Sequence, residues 1–163
     1  MTPTGEIQIL LVEDDPNDVE LALIALRKND LAEKIQVARD GEEALDFLFC
    51  RGPHAGRSFV SPPRVILLDL KLPKVSGTEV LKELKTDPRT RPVPVVVMTS
   101  SKQQQDMVEC YQLGANSYIQ KPIDFEHFQR ALNDLGYYWL TVNQCLPPEA
   151  YSAPTKAGAA SQP

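Results

Sequence analysis

Polar side chains that could take part in phosphoryl transfer follow the apolar runs of this sequence. In chain order they are Glu13 and Asp14, Asp40, Asp69, Thr99 and Ser100, and Lys121. Carboxylate oxygens are ligands that Mg²⁺ prefers, and a carboxylate can attack phosphorus once cations offset the charge. A hydroxyl can donate to a phosphoryl oxygen, and a lysine can form an ion pair with one. These residue types predict a site that binds a divalent metal and accepts a phosphoryl group.

Most of these residues, taken alone, have an ordinary structural interpretation. Glu13 and Asp14 could lie in a solvated loop, and Asp69 could be a turn residue that ends a strand. Thr99 could simply lead into the next helix. The occurrence of suitable residues after successive runs favours a shared site, because parallel strands end along one edge of a sheet. Open α/β folds bind their ligands at that edge.

The elements that must position these residues follow from the same runs. Strands are predicted over Ile7–Val12, Lys34–Arg39, Arg64–Asp69, Val93–Met98 and Asn116–Ile119. The first of these, Ile7–Val12, is a largely apolar and β-branched run, which is typical of a strand buried on both faces, and amphipathic segments separate the strands. The alternation predicts an α/β fold: a doubly wound, five-stranded parallel sheet of order 2-1-3-4-5 in a three-layer sandwich. That order makes the first and third strands neighbours.

The helices are predicted from their end signals and apolar spacing. They cover Pro16–Lys28, 40–49, 76–86, 102–113 and a segment from 125 that continues to Asn143. Capping side chains are predicted at Asp15, Asp40, Ser101 and Asp124, and Gly114 suits a left-handed C-terminal position. On the last helix, the spacing predicts an inward face of Phe125, Phe128, Leu132 and Leu135.

Composition and charge argue against several classes of protein. The 163 residues, 42% hydrophobic and 24% charged, suit one globular domain. The net charge of −5 argues against a nucleic-acid partner. No apolar stretch approaches the roughly 20 residues of a membrane span, and the N-terminus lacks signal-peptide features. Three scattered cysteines fit a reducing compartment, so we expect a cytoplasmic protein.

One domain is predicted over residues 7–146, followed by a flexible tail over 147–163 that is rich in Ala, Gly, Ser and Pro. Segment 50–63 contains several Gly and Pro residues and is predicted to be a long surface loop. The aromatic residues Tyr137, Tyr138 and Trp139 could pack within the chain or form a homodimer interface.

The motifs together resemble the receiver domain of two-component response regulators. They are Leu11-Val12-Glu13-Asp14-Asp15, Leu67-Leu68-Asp69-Leu70-Lys71-Leu72-Pro73, Gly77, Met98-Thr99-Ser100 and Tyr118-Ile119-Gln120-Lys121-Pro122. The match runs from about Ile7 to Leu140. The resemblance implies a phosphoprotein of a phosphorelay, which catalyses only its own phosphorylation and dephosphorylation.

The resemblance also implies a role for each matching residue. Asp69 would be the phospho-acceptor and Lys121 the pocket cation. Magnesium would be held by Glu13, Asp14, Asp69 and the backbone carbonyl of Lys71. Thr99 would be the switch hydroxyl and Tyr118 the aromatic side chain that moves with it. Pro122 could be cis and fix the aim of the preceding lysine.

A narrower resemblance indicates the partner. Segments 13–18 and 68–74, together with Tyr138-Trp139-Leu140, look like single-domain regulators of phytochrome-type histidine kinases. Such a kinase is expected to dock near Asn17 and Asp18. Only about 20 residues follow the last helical run, so output is expected through protein contacts, and the resemblance favours a homodimer.

Three other interpretations remain at this point. A magnesium-dependent phosphatase with an aspartyl nucleophile would need a second acid two residues after Asp69, where the sequence has Lys71. A flavin-binding electron carrier shares the strand order, but the acidic first loop would repel a phosphate. A degenerate receiver used only for binding is disfavoured because every pocket residue is present.

Overall fold

The computed structural model describes residues 7–28, 34–57, 62–121, 124–147 and 149–150. The lead-in Met1–Glu6, Pro122 and most of the predicted tail lie outside this part of the chain. Predictions about them therefore stay predictions.

Parallel strands form the central sheet, in the predicted order. They are β1 (Ile9–Val12), β2 (Ile35–Ala38), β3 (Val65–Leu68), β4 (Val95–Thr99) and β5 (Ser117–Gln120), ordered β2-β1-β3-β4-β5. Residue Val12 of β1 pairs with Leu68 of β3, so the two strands end level with each other. The α/β fold and the strand order are confirmed, and each strand differs from its predicted range by one or two residues at the ends.

Helices lie on both faces of the sheet. They are α1 (Pro16–Arg27), α2 (Gly41–Leu48), α3 (Gly77–Thr86), α4 (Gln104–Leu113) and α5 (Phe125–Tyr137). Asp15, Asp40 and Asp124 accept hydrogen bonds from backbone N–H groups in the first turns of their helices, as predicted. Gly114 follows α4 with φ of 108°, the left-handed conformation that glycine tolerates best.

The prediction that Ser101 caps α4 is wrong. The helix begins at Gln104, and Gln103, the residue before it, makes no capping side-chain hydrogen bond. The Ser101 hydroxyl donates instead to the Asp106 carboxylate and accepts from the N–H of Gln103. The loop between β4 and α4 is therefore longer than predicted.

Each face of the sheet has its own apolar core. Leu10 and Val12 of β1 point into the layer of α2, α3 and α4, whereas Ile9 and Leu11 point into the layer of α1 and α5. All four residues of β1 and of β3 are buried, while the edge strands β2 and β5 are mostly half-buried. This is the arrangement that continuous apolar runs in central strands predict.

The last helix partly departs from prediction. Phe128 and Leu132 are buried and Leu135 is partly buried, but Phe125 is 49% exposed. Phe125 is the first helical residue and does not belong to the apolar core of this face. The predicted continuation beyond the helix is confirmed as one π-helical turn, Tyr138–Val142, with Asn143 after it.

The segment predicted as a surface loop after α2 contains a short 3₁₀ turn, Gly52–His54. Arg57 lies over the ring of Phe47 at 3.5 Å from its centroid, which ties the loop to the core.

Within the described residues, none of the helices has the length and apolarity needed to cross a bilayer.

Candidate functional site

The acidic residues lie where β1 and β3 end side by side. The backbone N–H of Asp69 donates to the carbonyl of Val12 (3.0 Å), and that of Glu13 donates to Ala38 (3.0 Å). Sheet hydrogen bonding thus extends one residue past each strand. Glu13 is 5% exposed and Asp69 is 8% exposed. Carboxylates are seldom buried to this extent unless they are paired with a cation, so their burial favours a functional role.

Three carboxylates form a cluster suited to a divalent cation. One oxygen from each of Glu13, Asp14 and Asp69 lies within 4.8 Å of the others. Asp14 is exposed, and the cluster opens into a pocket of about 580 Å³ that Lys71 also lines. Hard oxygen ligands on one side of an open pocket fit Mg²⁺, which keeps several water ligands. The residues present therefore fit the predicted metal.

Lys121 contacts three acids at the edge of this cluster. Its Nζ donates to Glu13 Oε2 (2.8 Å) and to Asp18 Oδ2 (3.0 Å), and it lies 3.6 Å from Asp69 Oδ2. Burial lowers the pKa of Lys121, but the hydrogen bonds to Glu13 and Asp18 outweigh it, so the pKa is raised. The ammonium group stays charged at neutral pH.

Glu13 has the most perturbed carboxyl group of the pocket. Burial raises the pKa of Glu13 to about 7, although the hydrogen bond from Lys121 acts in the opposite direction. The nearby carboxylate of Asp69 contributes to this raised pKa, after burial. A cation bound between Glu13 and Asp69 would offset the repulsion between the two carboxylates. It would lower the pKa of both, because it favours their ionised forms.

The loop from β3 to α3 supports Asp69 by close backbone contacts. The N–H of Lys71 donates to Asp69 Oδ1 (3.2 Å), and the N–H of Gly77 donates to the carbonyl of Leu70 (2.9 Å). A Cβ atom at position 77 would lie 2.0 Å from the Asp69 carbonyl oxygen. Only glycine permits this approach, so Gly77 fixes the backbone that carries Asp69.

Lys74 joins the same loop to α2. Its Nζ lies 3.5 Å from Asp40 Oδ2 and 3.2 Å from Glu42 Oε2, and its φ is 66°. A left-handed conformation is uncommon for lysine and must be held by its surroundings. The loop is therefore constrained at two points, at Lys74 within it and at Gly77 where α3 begins.

Of the two predicted switch residues, Thr99 ends β4 directly before the pocket-lining Ser100, and Tyr118 lies within β5. Thr99 is fully buried and its Oγ1 accepts from the N–H of Ser101 (3.2 Å), whereas Ser100 lines the pocket. The Tyr118 hydroxyl is buried, and burial raises its pKa. No hydrogen bond of acceptable geometry reaches this hydroxyl from the described residues.

The structure thus brings together most of the predicted site residues and adds others. Glu13, Asp14, Asp69, Lys71 and Lys121 line one pocket. Sequence reasoning missed an apolar wall of that pocket, formed by Leu21, Phe125 and Phe128. It also missed Asp18 as a partner of Lys121, although its position in the first turn after the acidic pair was a usable signal.

The aromatic residues at the end of α5 lie apart from the pocket and differ from one another. Trp139 is 8% exposed and belongs to the core layer of α1 and α5. Of the two interpretations of Trp139, the structure therefore supports packing within the chain and not an interface. Tyr137 and Tyr138 are 64% and 47% exposed. For these two tyrosines a dimer interface stays a prediction.

Comparison with known proteins identifies the class. The family model of the response regulator receiver domain matches residues 9–133. This chain belongs to that family, and the residues that carry the motifs are the ones assembled at the sheet edge.

Individual relatives narrow the comparison. The chain is 41% identical over 140 residues to the probable methanogenesis regulatory protein FilR2 of Methanothrix harundinacea, covering 86% of this chain and 88% of FilR2. It is 36% identical over 133 residues to the response regulator Rcp1 of Synechocystis, covering 81% and 88%. A crystal structure of Rcp1 in its Mn²⁺-bound form superposes with a TM-score of 0.77.

Two further solved structures concern phytochrome regulators. The phosphorylated cyanobacterial phytochrome response regulator RcpA is 35% identical with a TM-score of 0.79, covering 86% of this chain and 99% of RcpA. The bacteriophytochrome response regulator AtBRR is 48% identical with a TM-score of 0.67, covering 86% and 99%. The chain is therefore similar to phytochrome response regulators in both sequence and fold.

Proposed function

We propose that this protein is a response regulator that accepts a phosphoryl group from a histidine kinase on Asp69 and transmits the signal by altered protein contacts. The observation that carries the proposal is the position of the Asp69 carboxylate. It is buried beside two further acids and 3.6 Å from the Lys121 ammonium group. Family membership and the phosphorylated relative RcpA support the same chemistry.

The reaction needs one nucleophile and charge neutralisation. A carboxylate oxygen of Asp69 attacks the phosphorus of a phosphohistidine, and the P–N bond breaks with its electron pair going to the imidazole nitrogen. The product is an acyl phosphate on Asp69. Lys121 binds a phosphoryl oxygen and offsets part of the charge, since phosphoryl transfer depends mainly on positioning and electrostatics.

Glu13, Asp14, Asp69 and the carbonyl of Lys71 would hold the metal. When bound there, magnesium would supply positive charge to the phosphoryl oxygens. Support comes from the three clustered oxygens and from the Mn²⁺-bound form of the relative Rcp1.

Thr99 and Tyr118 are proposed to carry the switch. The Thr99 hydroxyl accepts from the Ser101 N–H and would turn to donate to a phosphoryl oxygen. Tyr118 could then fill the space that Thr99 leaves, because its buried hydroxyl is not anchored by a hydrogen bond among the described residues. A shift between two packings of this kind needs only differential contacts with the phosphoryl group.

A phytochrome-type histidine kinase is the proposed partner, with docking on α1 beside the pocket. Similarity to RcpA and AtBRR supports this choice. Asn17 is exposed at the start of α1, next to the pocket-lining Asp18. Substitution of Asn17 by Arg should slow transfer from the kinase while leaving phosphorylation by acetyl phosphate unchanged. Equal transfer rates would refute docking there.

A single experiment tests the phospho-acceptor. The protein is incubated with acetyl phosphate and MgCl₂, and its intact mass and elution volume are measured. We expect the wild type to gain one phosphoryl group and Asp69→Asn to gain none, with Asp134→Asn, an exposed acid on α5, as the matched control. A change in elution volume on phosphorylation would support a homodimer whose formation depends on the phosphoryl group.

The same samples separate the proposal from a phosphatase. A stable mass increase without turnover of small phosphate esters supports a receiver. Multiple turnover of such esters, lost in Asp69→Asn, would contradict it. Phosphorylation of Asp69→Asn at the wild-type level would place the acceptor elsewhere.

A further inference from the structure

The ammonium group of Lys121 is held by two carboxylates that are not the phospho-acceptor. It donates to Glu13 at 2.8 Å and to Asp18 at 3.0 Å, both ordinary charge-assisted hydrogen bonds. Its distance of 3.6 Å from Asp69 is too long for one. The nucleophile therefore has the cation close by without a direct hydrogen bond from it.

Lysine would not keep this separation by itself. Its ammonium group sits on a flexible four-carbon stem, and at the edge of a buried acidic cluster it is attracted to every nearby carboxylate. A direct charge-assisted hydrogen bond to Asp69 would stabilise the carboxylate before the attack and make it a weaker nucleophile. It would also place the ammonium where a phosphoryl oxygen has to fit.

Asp18 is positioned to keep the Lys121 ammonium group away from Asp69. It belongs to the first turn of α1, where the Asp15 cap fixes the backbone by accepting from the N–H of Asn17 and Asp18. Its side chain is 35% exposed, so it faces the pocket opening, whereas Glu13 is 6% exposed on the floor. The two anchors therefore act from different directions.

Asp18 is also separate from the predicted metal ligands. The cluster whose oxygens lie within 4.8 Å of one another consists of Glu13, Asp14 and Asp69. Glu13 is thus shared between the lysine and the metal position, whereas Asp18 contacts the lysine alone among these groups. Because Asp18 is not among the predicted metal ligands, it can keep its hydrogen bond with Lys121 when a metal binds.

We propose that Asp18 is a positioning residue that, together with Glu13, holds the Lys121 ammonium group off Asp69 and in line for an incoming phosphoryl oxygen. This inference rests on the proposed function and adds a residue to it. Without Asp18, the ammonium moves onto Asp69, and phosphorylation slows because that contact must first break.

The kinetic test compares two isosteric changes on the same pocket. The phosphorylation rate of Asp69 is measured with acetyl phosphate and MgCl₂ for wild type, Asp18→Asn and Asp15→Asn. Asp15 also lines the pocket, so Asp15→Asn removes one negative charge from it, as Asp18→Asn does. Asparagine can still cap α1, and Asp15→Asn removes no contact with Lys121. We expect Asp18→Asn to be about fivefold slower than Asp15→Asn, since a neutral acceptor binds an ammonium more weakly.

A conservative variant and a metal-binding control complete the comparison. Asp18→Glu keeps the carboxylate and is expected to recover most of the rate. Magnesium affinity, measured by calorimetry, should change in Asp18→Asn no more than in Asp15→Asn, because Asp18 is not in the metal cluster. A rate loss explained fully by weaker magnesium binding would overturn the inference.

A second readout needs neither metal nor phosphate. Lysine ammonium groups held in ion pairs exchange slowly enough to be observed in ¹H–¹⁵N spectra, and Lys121→Arg identifies the signal. We expect the Lys121 signal in wild type, Asp15→Asn and Asp18→Glu, and its shift or loss in Asp18→Asn.

The outcomes separate the two proposals. If wild type takes up no phosphoryl group, the proposed function fails and the positioning role fails with it. If wild type is phosphorylated but Asp18→Asn matches Asp15→Asn in rate and in the Lys121 signal, only the positioning role is overturned.

Discussion

At the β1–β3 half of the sheet edge, close backbone contacts fix the acidic residues, whereas at the β4–β5 half the helix that follows β4 has no side-chain cap and is mostly exposed. Gly77 packs against the Asp69 carbonyl, and Asp15 caps α1 directly after the acidic pair. In contrast, α4 has no capping side-chain hydrogen bond and buries only Cys110 fully. The Tyr118 hydroxyl is buried without a hydrogen bond from the described residues.

The difference matches two separate requirements. A nucleophile must be placed to within a fraction of an ångström, because small displacements cost large factors in rate. A switch needs an element with a second packing close in free energy. Helix α4 exposes Met107, Val108 and Tyr111, so its contacts with the rest of the chain can change at low cost.

The largest expected effect comes from breaking the fixed half at Gly77. Alanine there would place its Cβ 2.0 Å from the Asp69 carbonyl oxygen and 2.6 Å from the Leu70 Cα, so the backbone must move. We expect the free energy of unfolding to fall by about 3 kcal/mol. Phosphorylation of the folded fraction should also slow. Urea denaturation and intact mass measure the two effects.

Gly56 provides the control for this substitution. A Cβ there meets nothing within 4 Å, so Gly56→Ala should change stability little. If Gly77→Ala changed stability as little as Gly56→Ala, the backbone at the β1–β3 half could move easily, and that half would not be fixed by close contacts.

The next largest effect is a pH dependence of magnesium binding. Burial raises the pKa of Glu13 to about 7, and magnesium requires the ionised carboxylate. A proton held below that pKa competes with the metal, so affinity should be about tenfold lower at pH 6 than at pH 8. Calorimetry checks this. Glu13→Gln should bind more weakly at pH 8 with little pH dependence, and a flat wild-type profile would contradict the prediction.

A smaller effect is expected from Tyr118→Phe in the less constrained half. A buried hydroxyl without a partner costs free energy that phenylalanine does not incur. We therefore expect the free energy of unfolding to rise by about 1 kcal/mol in urea denaturation. Tyr111→Phe, at a residue 51% exposed, should be neutral. A clear loss of stability in Tyr118→Phe would show that Ser101, close enough to affect the Tyr118 pKa, holds the hydroxyl.

The smallest effect is expected at the start of α4. Gln103 has the extended backbone of a capping residue, with φ of −78° and ψ of 122°, but its side chain does not cap. Gln103→Ser should stabilise the protein by about 0.5–1 kcal/mol because serine can accept from the first turn. Lys102→Ser, one residue earlier, should have no such effect. Equal gains from both would exclude capping as the cause.

Much of the fold could be predicted because local signals agree with the tertiary structure. The apolar runs of β1 and β3 are buried on both faces, and the caps Asp15, Asp40 and Asp124 act on their own helices. These signals act within a few residues, so sequence patterns report them directly.

The remaining features depend on contacts between distant parts of the chain. Ser101 was a plausible cap, but its hydroxyl pairs with Asp106 instead. Lys121 lies near Asp69, but its hydrogen bonds go to Glu13 and Asp18, which are more than 100 residues away in the chain. Which of several acids a lysine selects is decided by three-dimensional packing, which periodicity does not encode.

The burial of Trp139 has an optical consequence. It is the one tryptophan of the chain, and it belongs to the same apolar cluster as Met98, the neighbour of Thr99 on β4. Its indole emission is therefore sensitive to the packing between the C-terminal π-turn and the strand that ends at Thr99. Intrinsic fluorescence can follow that packing in real time, without any added dye.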